Sequence, residues 1–151
     1  MYILRCEGKM PNKIVYQPAK KARPFWVFGG VFRFLLTGEE SGGSSSTMEI
    51  LVPPGIGPDS HIHENEEEQF YILEGELTYQ VGEQTIHAST GDFIHIPRGT
   101  VHSFKNGRLP AKLLAIFAPA GAEKVFQEAG VAMVDDSFPP QVTDEDNKLP
   151  R

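Results

Sequence analysis

Between Thr47 and Ala118 the chain is a succession of short apolar runs, each stopped by Gly, Pro or Asn. TMEILV ends at Pro53-Pro54, QFYIL at a turn over Glu74–Glu76, and LTYQV at Gly82-Glu83. QTIHA follows, then Phe93–Ile96 and Val101–Phe104 on either side of a Pro-Arg-Gly turn. AKLLAIFA closes the series after Asn106-Gly107. β-branched and aromatic residues in short runs with turn residues between them fit strands. Many such strands in series favour a sandwich or barrel over an α/β fold. The fold class expected is all-β.

Upstream, Phe25–Leu36 reads FWVFGGVFRFLL, which suits two short strands or one bulged strand around the Gly-Gly pair. Thr37–Ser46, TGEESGGSSS, reads as a flexible polar loop without an apolar anchor. A peripheral strand is expected over Lys13–Tyr16 within an N-terminal arm, residues 1–24. The barrel is expected over residues 25–120. Residues 121–151 are expected to form a short C-terminal helix, Ala122–Ala129, with Gly130 at its C-cap, and a polar extended tail from Asp135.

With 151 residues, 40% of them hydrophobic and 23% charged, the chain suits one globular domain with a core. No apolar run reaches the length of a membrane span, and MYILRCEGKMPNK lacks the pattern of a signal peptide. Cys6 is the single cysteine, so no internal disulfide framework forms. These features lead us to expect a cytoplasmic protein. The excess of 20 acidic over 14 basic residues argues against nucleic-acid and anionic-membrane partners.

Chemistry concentrates in two segments. In the first, His61 and His63 are one residue apart, so in an extended backbone both rings point to one face. Glu64, Glu66, Glu67 and Glu68 follow and compete for the role of neighbouring carboxylate. The second segment supplies His102, just after the Pro97-Arg98-Gly99 turn. Imidazoles and a carboxylate at the ends of strands point to a metal site on a β-barrel. Any single histidine more often serves structure, and that reading is adopted for His87 and His95.

Both segments resemble the two signature motifs of the cupin family. Gly55, His61, His63, Glu68 and Gly75 fall at each position of the first motif. Gly91, Pro97, Gly99, His102 and Asn106 do the same for the second. The stretch between them, Glu76–Thr90, suits the two short strands that cupins place there. The resemblance implies a double-stranded β-helix, a jelly-roll barrel. It also implies a ligand set of His61, His63, Glu68 and His102. The family spacing to Gly75 and the start of a strand favour Glu68 over its three acidic neighbours, which are expected to form a solvated lip.

Three imidazoles and one carboxylate suit one divalent first-row ion, Fe, Mn, Co or Ni, with open coordination positions. Zn is less suited, because four protein ligands fill its tetrahedral shell. Strand alternation then places Phe70 and Ile72 on the face of Glu68, and Phe104 on that of His102, as a substrate pocket for a planar aromatic ligand. Softer phrases, among them PRGTVHSF, resemble small bacterial cupins of the quercetin-dioxygenase-like group. That resemblance implies a flavonol deprotonated by Glu68 and cleaved by dioxygen with release of carbon monoxide. Glu68 would be ligand and catalytic base together. Two alternatives stand beside the dioxygenase: another metal-dependent cupin enzyme, an isomerase or decarboxylase, and a cupin that only binds a small molecule. The resemblance further implies a homodimer that exchanges N-terminal strands.

Overall fold

The computed structural model describes residues 13–133. The arm before residue 13 and the expected tail from Asp135 lie outside the described residues.

The strands expected from the turn-punctuated runs all form. They are β1 (Pro24–Val27), β2 (Gly30–Leu36), β3 (Ser46–Val52), β4 (Glu67–Glu74), β5 (Glu76–Val81), β6 (Gln84–Ser89), β7 (Phe93–Ile96), β8 (His102–Asn106) and β9 (Ala111–Ala118). A further strand, β10 (Val131–Ala132), follows the helix. They build two antiparallel sheets, ordered β10-β1-β2-β3-β9-β4-β7 and β6-β5-β8. Alternation sets which faces meet. Ser46, Met48, Ile50 and Val52 of β3 point inward, as do Ala111, Leu113, Ala115 and Phe117 of β9. The sheets meet through aromatic rings: Phe70 of β4 lies 5.2 Å from Tyr79 of β5 and 5.8 Å from Phe104 of β8. Burying a ring the size of Phe70, which is 1% exposed, stabilises the fold by roughly 1.5–3 kcal/mol.

Phe25–Leu36 resolves into two strands joined at Phe28-Gly29, with a register shift between Phe34 and Leu36 opposite β3. Lys13–Tyr16 carries no regular structure, in place of the expected peripheral strand; a single 3-10 turn follows at Ala19–Lys21. The loop expected over Thr37–Ser46 holds a one-turn helix, α1 (Gly38–Ser41). Its cause is a capping box: the Thr37 hydroxyl accepts the Glu40 N–H, and the Glu40 carboxylate accepts the Thr37 N–H at 2.9 Å. The helix α2 (Ala122–Ala129) forms where its pattern placed it. Gly130 is its C-cap, as expected, in an extended conformation (φ −75°, ψ 143°). A Cβ there would come within 2.9 Å of the Phe126 carbonyl, so close packing is what demands glycine. Among the described residues no helix is long and apolar enough to cross a membrane.

One carboxylate fastens both helices. Glu123, 1% exposed in the second position of α2, accepts the N–H of Gly38 at 2.8 Å and the N–H of Gly121 at 2.7 Å. It thus satisfies donors at the N-termini of α1 and α2 together, where a negative charge is favoured. Burial alone would raise this carboxyl's pKa; the hydrogen bonds from Gly38 and Gly121 outweigh it and hold the value below 4.5. Glu123→Ala leaves both N–H groups without an acceptor and should lower the unfolding free energy by about 2–3 kcal/mol, read by urea denaturation at neutral pH. A depressed folded pKa gives a contribution that is complete above the unfolded value and lost as pH falls through the folded one. The stability difference between wild type and Glu123→Gln should therefore shrink on acidification below 4.5.

Candidate metal centre

The long connection from β3 to β4 carries the first motif and is zipped against the second by its backbone. His61 and His102 exchange N–H···O bonds, both at 2.9 Å, and Gly99 donates to the His63 carbonyl at 2.7 Å. The connection can lie this close because position 57 is glycine: a Cβ there would sit 1.8 Å from the Phe104 carbonyl oxygen. Asn106 ties the other end. Its amide nitrogen faces the carbonyls of Val52, Pro53 and Leu109 at 2.7–3.1 Å, and its oxygen accepts the Gly107 N–H. The asparagine of the second motif is thus a backbone clamp, away from the imidazoles.

These constraints bring His61, His63, Glu68 and His102 together, with one donor atom from each, all within 4.8 Å of one another. The rings of His61 and His102 lie 4.3 Å apart and those of His61 and His63 5.0 Å. Glu68 Oε2 is the meeting point, 2.8 Å from His102 Nε2 and 3.5 Å from His63 Nε2. Glu68 is the buried member of its acidic run, at 5% exposure. Glu67, on the other face of β4, pairs with His95 at 3.5 Å, and His87 contacts the Thr78 hydroxyl at 3.2 Å. Neither histidine enters the cluster.

The donor set fits a divalent first-row ion. A carbonyl can only accept, so Nδ1 of His61 donates to the Asp59 carbonyl and Nδ1 of His102 to the Thr100 carbonyl, each at 2.8 Å. Each bond turns Nε2 toward the cluster, the second-shell arrangement that orients metal-binding imidazoles. His63 Nε2 is buried and makes no hydrogen bond among the described residues. An orphaned imidazole nitrogen beside a buried carboxylate is what a cation would satisfy.

Electrostatics separate the three histidines. Burial lowers the pKa of His61, and burial with His102 as neighbour lowers that of His63. At His102 burial acts in the same sense but is outweighed by the hydrogen bond and charge of Glu68, and the value rises above 6.5. Beneath the cluster, burial and the nearby charge of Glu68 push the Tyr79 phenol well above its usual value, so it stays neutral.

A cavity of about 60 Å³ opens over His61, His63 and Glu68. Phe70 and Phe104 line it, on the faces that alternation assigned. Ile72 does not: it is fully buried one pleat further along β4, in the core below. Four further aromatic residues line the wall without having been assigned to it from sequence, namely Phe28 at the β1–β2 turn, Phe32 of β2, Phe117 of β9 and Phe126 of α2. Only the tertiary arrangement places them over the cluster.

The family model described as "Cupin domain" matches residues 48–117. Quercetin 2,3-dioxygenase of Bacillus subtilis is 30% identical over 128 residues, which span 78% of this chain and 38% of the relative. The chain thus covers well under half the length of that enzyme. An uncharacterised protein of Methanocaldococcus jannaschii is 33% identical over 71% of this chain and 88% of its own. Among solved structures, a predicted oxalate decarboxylase from Thermotoga maritima superposes with a TM-score of 0.62 at 25% identity, over 71% of this chain and 99% of its own.

Titration of the metal-free chain by NMR should split the histidines. His102 should keep its second proton above pH 6.5, while His61 and His63 lose theirs below it. The stabilisation from the His102–Glu68 pair is complete below 6.5 and lost as pH rises through the raised value. Glu68→Gln should bring the His102 titration down.

Proposed function

This chain belongs to the cupin family, and on that premise we propose that it is a metal-dependent dioxygenase acting on a flavonol-like or other aromatic or enolic small molecule. His61, His63, Glu68 and His102 hold the ion, which is Fe, Mn, Co or Ni. The carrying observation is the convergence of these four donors under an aromatic-walled cavity. A bound ion would supply Lewis acidity toward a phenolic hydroxyl and redox reactivity toward dioxygen.

The protein's share is orientation, exclusion of water and proton handling. Phe70, Phe104 and Phe117 offer flat apolar walls that stack a planar ring and keep water from it. Glu68, buried at the base, is placed to take the proton of the hydroxyl that enters the cluster. His61 and His102 hold their orientation through the Asp59 and Thr100 carbonyls.

A second reading, decarboxylation of a small acid, draws on the Thermotoga neighbour. A bound ion could hold one carboxylate of a dicarboxylate substrate, but the described residues lining the cavity include neither lysine nor arginine to pair the second. The wall therefore favours the aromatic substrate. Association is also part of the proposal: Ile14 and Tyr16 are 92% and 83% exposed on a segment without a strand partner among the described residues. Such a segment suits exchange with a second copy, and deleting residues 1–19 should shift a dimer to monomer in sedimentation.

Elemental analysis should find close to one divalent ion per chain in wild type, and His61→Ala or His102→Ala should remove most of it. Metal content unchanged in both variants would remove the assignment. Flavonol absorbance should decay in air and persist without dioxygen. At matched metal occupancy Glu68→Gln should lose ~10²–10⁴-fold in single-turnover rate, and a loss under about threefold would leave Glu68 as a ligand only. Binding without turnover across a panel of aromatic and enolic compounds would select the binding-protein alternative.

A further inference from the structure

The β1–β2 turn holds the one non-glycine residue of positive φ among the described residues. Phe28 has φ 46° and Gly29 φ 84°, and Val27 pairs with Gly30 across them. This is a two-residue hairpin in which both central residues are left-handed, a turn that Asn, Asp or Gly fills with least strain. A bulky aromatic residue in this conformation is disfavoured. The hairpin itself gives no reason for phenylalanine, and a strained residue held by its surroundings directs attention to what its side chain does.

That side chain lines the cavity over Glu68. Its ring meets Phe126 of α2 edge to face, with centroids 6.3 Å apart and planes at 73°. Phe126 lies 5.2 Å from Phe32 and 6.0 Å from Phe117, and Phe117 lies 5.4 Å from His63. Phe28 and Phe126 are each part-buried, at the outer end of a line of rings that leads in to an imidazole of the cluster. The cavity behind them, about 60 Å³, is far below the roughly 300–1,000 Å³ that holds a drug-sized ligand. α2 is held at both ends, by Glu123 at its first turn and by β10 on β1 just beyond Gly130, so the rings of Phe28 and Phe126 themselves are what must turn for the opening to widen.

We infer that Phe28 and Phe126 are the specificity-determining pair of this site, a two-ring gate that a planar ligand larger than the present cavity must displace to reach the cluster. This rests on the reading of the cluster as a metal site for aromatic or enolic ligands. The strained backbone at Phe28 then has a purpose, since it aims a ring at the mouth that a relaxed turn residue would leave open.

The test uses the full chain loaded with Co(II), as wild type, Phe28→Asn and Phe126→Ala. Asparagine suits the left-handed conformation, so Phe28→Asn should keep the wild-type circular dichroism spectrum. Stopped-flow changes in the cobalt ligand-field band would report association of azide, catechol and 3-hydroxyflavone. The variant-to-wild-type rate ratio should stay near unity for azide and reach ~10-fold or more for 3-hydroxyflavone, within the range that apolar size discrimination supplies. Ratios flat across the three probes overturn the gate. Gated entry without consumption of 3-hydroxyflavone in air leaves the gate standing and removes the dioxygenase reading, whereas consumption with flat ratios does the reverse. The dye 8-anilinonaphthalene sulfonate, which needs no metal, gives a second readout: both variants should bind it more tightly than wild type, and equal binding in all three counts against the gate.

Discussion

The carboxylate of Glu68 is a negative charge placed inside an apolar barrel. Charge removed from water costs several kcal/mol unless a partner compensates it, and losing one partner of such a buried pair costs about as much. Here compensation comes from His102, whose ring is held so that both nitrogens donate, Nδ1 to a carbonyl and Nε2 to the carboxylate. The same oxygen faces Nε2 of His63, which makes no hydrogen bond among the described residues. A proton on His102 and a divalent cation are thus two solutions to one electrostatic problem, and they exclude each other at Nε2. Metal uptake should accordingly release protons, the usual linkage when imidazoles become ligands. The connection over Gly57, the Asn106 clamp and the paired backbones of His61 and His102 all serve to hold the three rings around that one oxygen.

What was legible in the sequence followed from local rules. Alternation along β4 assigned Glu68 and Phe70 to the interior and Tyr71 to the exterior, and the register shift of that strand lies beyond them, between Ile72 and Glu74. Alternation gives a face and no depth, which is why Ile72 shares the face of Glu68 and yet lies in the core under the cavity. The capping box of α1 was present in the letters Thr37 and Glu40, but the Ser/Gly-rich composition around it masked a local hydrogen-bond pattern. β10 is two residues long and exists only through its partners Phe25 and Trp26. The roles of Glu123 and Phe28 depend on elements 85 residues apart in one case and on a turn conformation in the other, so no short window contains them.

The cavity wall and the cluster come from different parts of the chain. His61, His63 and His102 sit on segments joined by main-chain bonds at one end of the two sheets. The outer rings come from the β1–β2 turn and from α2, elements peripheral to the strands that carry Glu68 and His102. On the proposed reading, the chemistry would be held by β4, β8 and the connection between β3 and β4, and access by pieces attached at the margin. Function lodged in separable parts of a shared scaffold is the pattern expected of folds that host many reactions.

The reciprocal bonds between His61 and His102 have an evolutionary consequence. Main-chain hydrogen bonds do not register which side chains flank them, so neighbouring positions can drift without moving the two rings. A lineage built on this arrangement is free to rewrite the outer wall, ring by ring, while the histidine cluster stays in register. Insertion or deletion between His61 and His63 is the change it cannot absorb, because one added residue turns a ring to the opposite face. Divergence in such a lineage should accumulate as substitutions around the mouth, with length held constant across the His-x-His step.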